Sequence, residues 1–234
     1  MQTVSKIHET VLKVCEEARK LVGQIPPLEN ESELLSELVL CILSSQEKYE
    51  AASAAMISLN KKNILRIPNN EVDFFEIKSQ LIAAMGEPIY FNYENKRYSR
   101  RLRFFVKKGE HILKTLENIY LNNLTIKKIL SCAEDTRDAR KKIIDCCCGL
   151  GPKQASMFLR NIGYYSEFAV LDKHVFNFMK ITGLTYNSLT SVATLSKYEE
   201  LENKLRSYAT TYNVALLHLD LAIWVTMRTL KIYR

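Results

Sequence analysis

Glycine and proline are scarce in this chain, at seven and five of its 234 residues. Strand-rich folds with many tight turns use more of both, so the shortage favours helices. No run of about 18 apolar residues occurs, so no membrane-spanning helix is expected. The amino-terminal segment lacks the apolar stretch of a secretory signal, and none is expected. The six cysteines, at 15, 41, 132, 146, 147 and 148, include no CxxC pair, and three are consecutive. That is a poor disulfide framework and points to free thiols in a reducing, intracellular compartment. The three consecutive thiols fall on successive faces of a helix end and cannot easily chelate one ion together. No Walker A motif, Rossmann fingerprint or HExxH occurs, so those chemistries have no support.

What is present is a positive charge and a sizeable core. The chain carries 33 basic and 26 acidic residues, a formal +7, and 47% of its residues are hydrophobic. The charge suits a polyanion such as nucleic acid, and equally a basic protein with no such partner. No linker rich in Gly or Ser and no internal repeat is apparent, so residues 1–234 read as a single compact helical unit.

Helical spacing runs along most of the chain. Val4, Ile7, Val11, Cys15 and Ala18 predict a helix over 3–23, ended by Gly23 and Pro26–Pro27. Similar patterns predict helices over 31–45, 47–59, 72–85, 124–133, 135–147, 153–162, 173–181, 195–209 and 213–229. Residues 95–118 also read as helix, strongly basic, with Tyr98, Leu102, Phe105 and Val106 as its apolar line. Its cations, Arg101 among them, form either a solvated face or a phosphate-contacting one. The fold class that follows is all-α.

The chemistry concentrates in residues 143–162, IIDCCCGLGPKQASMFLRNI. An apolar helix end meets Gly149-Leu150-Gly151, and a second helix starts at once. Glycines at this spacing allow a tight turn and close approach of backbone to a ligand. The free amides of such a turn and of the next helix's first residues, with the helix dipole, can bind phosphate. Pro152 suits the first helical position, where its missing N–H is not needed. Alone, the turn reads equally as a plain connection between two helices. Lys153 sharpens it, because the positive end of a helix favours a neutral amine, and a neutral amine can attack a sugar carbon and form a Schiff base. Asp172 lies nineteen residues later, in Val170-Leu171-Asp172-Lys173-His174. Its carboxylate can cap the helix that follows, or stabilise a cationic transition state, or both.

These residues resemble the helix-hairpin-helix superfamily of DNA glycosylases, through Gly149-Leu150-Gly151, Lys153, Ala155 and Asp172. Lys153-Gln154-Ala155-Ser156, Phe158-Leu159-Arg160-Asn161 and Leu219-Asp220-Leu221-Ala222-Ile223-Trp224 are similar to the compact 8-oxoguanine glycosylase/lyase subfamily of archaea and some bacteria. The resemblance implies two helical lobes with a cleft between them, the hairpin and catalytic segment spanning about 135–181. It implies Lys153 as nucleophile and Asp172 as its partner. Gly149, Gly151, Gln46, Arg101, Lys173 and His174 would face DNA, Gln46 as the residue that fills the gap left by a flipped base, although it reads equally as a surface polar residue. Asp220, Trp224 and the terminal Arg234 would recognise the base. Read locally, Trp224 also fits a helix core, and Asp220, with only His218 as a basic neighbour, fits solvent. Departures are present too. The chain ends Thr229-Leu230-Lys231-Ile232-Tyr233-Arg234, where the subfamily has a Thr-Gly-Lys ending, and Met157 stands where a histidine is common. No cysteine follows Cys148, so the iron–sulfur cluster of endonuclease III-like relatives is not expected.

The function implied is a bifunctional DNA glycosylase/AP lyase acting on 8-oxoguanine. It would work as a monomer on double-stranded DNA containing a damaged base, without metal, cofactor or membrane, in the cytoplasm or nucleoid of a prokaryote. Another damaged base, a non-catalytic helix-hairpin-helix module, or a helical scaffold with no nucleic-acid role are the alternatives.

Overall fold

The structure is a computed structural model that describes residues 2–22, 27–68, 71–164, 167–186, 188–189 and 191–230. Among these residues there are eleven α-helices and one two-stranded hairpin. The chain divides into two compact units, Met1–Pro27 with Gly151–Arg234, and Leu28–Leu150. No helix among the described residues is long and apolar enough to cross a membrane.

The first unit contains α1 (Gln2–Val22), α8 (Pro152–Asn161), α9 (Lys173–Ile181), α10 (Leu195–Thr211) and α11 (Leu216–Leu230). Ile7, Val11 and Cys15 recur every fourth residue and so lie on one face of α1. That face packs on α11, whose buried stripe is Leu216, Leu219, Asp220, Ile223 and Met227. Val175, Phe178 and Met179 of α9 and Leu201 and Leu205 of α10 close the same core. Two polar residues, Asp220 and Thr226, are buried among the apolar residues of α11, and Asp220 is the ionisable one of the two.

The second unit contains α2 (Glu31–Leu43), α3 (Tyr49–Lys61), α4 (Glu71–Met85), α5 (Phe105–Leu116), α6 (Ile126–Ser131) and α7 (Thr136–Cys146). α2 is its central helix, with Leu34, Leu35, Leu38, Val39, Ile42 and Leu43 all buried. Asn30 caps it, accepting from the Ser32 amide at 2.8 Å. Glu31, at its first turn, serves a second helix start. It accepts from Tyr120 Oη at 2.8 Å, Ile126 N at 2.6 Å and Lys127 N at 3.1 Å. At the other end of α2, the buried Lys108 of α5 donates to Leu43 O at 2.7 Å. A cation at a helix carboxyl end is electrostatically matched there. Burial nevertheless pushes its ammonium down to about 8.

The helix predicted over 95–118 is a correction. Residues Lys96–Arg100 form β2, paired antiparallel with β1 (Ile89–Tyr93), and α5 begins only at Phe105. Tyr90, Phe91, Tyr93 and Tyr98 favour a strand, and alternate residues of β1 are buried. Glu94 and Asn95, both at positive φ (49° and 59°), make the two-residue connection that such hairpins prefer. Phe91 stacks on Tyr98 with ring centroids 5.3 Å apart. The density of Lys and Arg over 96–103 conceals this short strand, because the aromatic alternation that marks it lies mainly on its partner.

Candidate active site

The turn leading to α8 is built as its glycines require. Gly149 has φ +78°, and a Cβ there would lie 2.1 Å from His111 Nδ1 and 2.7 Å from its Cγ. Around it, Cys148 N donates to Thr115 Oγ1 at 3.0 Å, and Asn118 Nδ2 donates to Cys146 O at 3.1 Å. Gly151 is the N-cap of α8, Pro152 is its first residue, and no side chain caps the helix. Among the described residues the first-turn amides thus receive no side-chain cap and suit an anion.

Lys153 follows at once, half-buried. Among the described residues its amine has no ion pair or hydrogen bond. Asp172 is extended (φ −92°, ψ −177°) and caps α9. Its Oδ1 alone does the capping, accepting from His174 N at 2.8 Å and Val175 N at 3.0 Å. Oδ2 is not used by the cap, so capping and a chemical role can share one carboxylate.

The backbone before Asp172 is held from several sides. Ala169 N donates to Glu202 Oε1 at 3.0 Å, Leu171 N to Tyr198 Oη at 3.0 Å, and Tyr198 Oη to Ala169 O at 2.6 Å. The Val170 amide bonds to Asp220. Asp220 Oδ2 also accepts from Arg160 Nη1 at 2.6 Å, with the two side chains 1% and 17% exposed. Solvation of Asp220 is therefore corrected. It is buried, and its basic partner lies on α8, far away in sequence. Burial, against the Arg160 charge and together with nearby Asp172, pushes the Asp220 carboxyl up to about 6. The apolar stripe in which Asp220 stands was the available signal for its burial.

Trp224 is half-buried, and the Arg228 guanidinium lies 4.7 Å from its ring centre. Arg228 was not singled out from sequence, although it stands one turn beyond Trp224 on α11. His174 is half-buried, and burial holds its imidazole below the ordinary value against the pull of Asp172, with Lys173 and Arg228 adding to the effect of burial. Lys173 is exposed. Lys153, Asp172, Lys173, His174, Asp220 and Trp224 thus share one unit, as does Gly151. Arg234 lies outside the described residues.

Gln46, Arg101 and Gly149 belong to the other unit. Gln46 is exposed with φ 51° in the turn after α2. Arg101 is exposed, its guanidinium 5.5 Å from the Phe105 ring centre. Phe104, missed in the sequence, is 59% exposed and has φ 54°. Among the described residues no group of three or more His, Cys, Asp or Glu could hold a metal ion.

A sequence model of the family described as 8-oxoguanine DNA glycosylase matches residues 19–214. The 8-oxoguanine DNA glycosylase/AP lyase of Saccharolobus solfataricus is 30% identical over 219 residues, 94% of this chain and 91% of that protein. The 8-oxoguanine glycosylase/lyase of Methanocaldococcus jannaschii, solved with a 15-mer DNA containing 8-oxoguanine, superposes with a TM-score of 0.67 at 24% identity, covering 100% of both chains. Another structure of the Methanocaldococcus jannaschii 8-oxoguanine DNA glycosylase gives a TM-score of 0.66 at 25% identity, covering 100% of this chain and 97% of that one.

Two outcomes follow from this geometry. Gly149→Ala should destabilise the protein by about 1–2 kcal/mol from the left-handed backbone alone, with more from displacing His111. A denaturant midpoint equal to wild type would contradict it. Asp220 keeps its proton up to about 6 in the native state, against an ordinary 3.8. The unfolded chain releases that proton first, so raising the pH through this window removes stability. Asp220→Asn cannot ionise and should flatten the stability–pH curve there. An unaltered slope in denaturant melts would contradict the shift.

Proposed function

We propose that this chain, which belongs to the 8-oxoguanine DNA glycosylase family, is a bifunctional DNA glycosylase and AP lyase that removes oxidised guanine from duplex DNA. The observation that carries the reading is the pair at two helix starts of one unit. Lys153 offers an amine without a partner among the described residues, and Asp172 a carboxylate with one oxygen left over by its cap.

The amides around Gly151 and the cations Arg101 and Lys173 hold phosphates, and the damaged nucleotide is extruded. The half-buried Trp224 ring, with Arg228 beside it, offers a flat face to the extruded base. Arg234 reads the base from the chain's end, as the family resemblance implies. Asp220, committed to Arg160 and Val170, supports the backbone that leads to Asp172. The amine of Lys153 attacks C1′ of the sugar. The bond from C1′ to the base nitrogen breaks, and the base leaves with the electron pair and takes up a proton. Asp172 stabilises the positive charge that grows on the sugar and accepts the proton released by the amine. Opening of the sugar ring gives the Schiff base. Loss of a proton from C2′ then expels the 3′ phosphate and breaks the strand. The protein acts as a monomer inside the cell.

Borohydride should trap a covalent complex on a duplex carrying 8-oxoguanine, and on duplexes carrying other damaged bases only weakly. Lys153→Gln should abolish the adduct, and a stable adduct in that variant would remove Lys153 from the role. Asp172→Asn should slow base release by about 100-fold or more, within the range of general acid–base effects, while DNA still binds. Unchanged single-turnover rates would contradict its role.

A further inference from the structure

Gln46 and Phe104 are both exposed, and both have left-handed backbones, with φ 51° and 54°. Each such residue costs about 1–2 kcal/mol and persists only where its surroundings hold it. An exposed phenylalanine on strained backbone gains nothing for folding. Both residues lie in the Leu28–Leu150 unit, and one carboxylate connects them.

That carboxylate is Glu47, whose side chain is 1% exposed. Its two oxygens take both Arg100 Nη atoms, Oε1 at 2.6 Å and Oε2 at 3.0 Å. Oε2 also accepts from Arg103 N at 2.9 Å, and Oε1 from Lys48 N at 2.9 Å. Glu47 directly follows Gln46, and Arg103 directly precedes Phe104. One buried group therefore ties the turn after α2 to the turn before α5. Lys108, bonded to Leu43 O at 2.7 Å, fastens the end of α2 to the same helix. Burial alone would raise the Glu47 carboxyl, but these hydrogen bonds and the Arg100 charge hold it down at about 2.

We propose that Glu47 is a positioning residue that latches Gln46 and Phe104 into one rigid element which enters the duplex where a base has left it. This rests on the glycosylase reading above. A side chain that replaces a stacked base must resist being pushed back, and unstacking costs a few kcal/mol per step. Two strained residues held by a common buried ion pair meet that demand. The need vanishes where the lesion has no partner base, because extrusion is then easiest.

The test compares single-turnover excision of 8-oxoguanine paired with cytosine against 8-oxoguanine opposite an abasic gap. Glu47→Gln should lose about tenfold or more on the paired lesion and stay within about threefold of wild type on the gapped one. A fluorescent 2-aminopurine beside the paired lesion should show slower extrusion in the variant. Gln46→Ala and Phe104→Ala, which leave the ion pair intact, should reproduce the selective loss and decide the matter if Glu47→Gln does not fold. Equal loss on both duplexes, or no loss on either, overturns the latch. No excision by wild type from either duplex overturns the glycosylase reading and the latch with it.

Discussion

From Phe168 to Leu171 the chain is buried and belongs to no helix or strand, so its amides and carbonyls have no water to turn to. Side chains must satisfy them. Tyr198 and Glu202 of α10 do so for Ala169 and Leu171, and Asp220 of α11 does so for Val170. The result is a single backbone position for Asp172. From there its carboxylate caps α9 with one oxygen and leaves the other out of the cap. Without this clamp the helix start would still form, but the second oxygen would have no defined direction. The catalytic reading thus depends on polar groups outside the Lys153–Asp172 pair.

Glu47 in one unit and Asp220 in the other are both buried acids, and the two behave in opposite ways. Glu47 meets four N–H donors and is held at about 2. Asp220 meets one guanidinium and one amide, feels Asp172 nearby, and is pushed up to about 6. The difference follows from how many donors repay the loss of water. Glu47 is the better-compensated anion and suits a rigid support. Asp220 sits near its own ionisation range, beside the carboxylate on which catalysis is proposed to turn.

The helices were largely legible, because apolar residues at three- and four-residue spacing record a buried face directly. The turn at Gly149 and the cap at Asp172 were legible for the same local reason. Each is written within a few residues. What escaped the sequence is non-local. The Arg160–Asp220 pair joins α8 to α11, and the apolar stripe around Asp220 was the only hint of it. The β1–β2 hairpin was masked by the charges of Lys96–Arg101. Phe104 gave no signal, since its strain arises from the junction between a strand and a helix that were read as one helix. Lys153 and Asp172 were singled out from position, and the structure has there an amine without a partner among the described residues and an oxygen left over by a cap.

In the proposed reaction one amine, at the start of α8, forms the covalent link to the sugar. Tandem mass spectrometry of the wild-type protein reduced on an abasic-site duplex tests it most directly. The sugar mass should be found on the peptide containing Lys153, at its side chain. A sugar mass located on Lys173, on Lys108 or at the chain's amino terminus would contradict it.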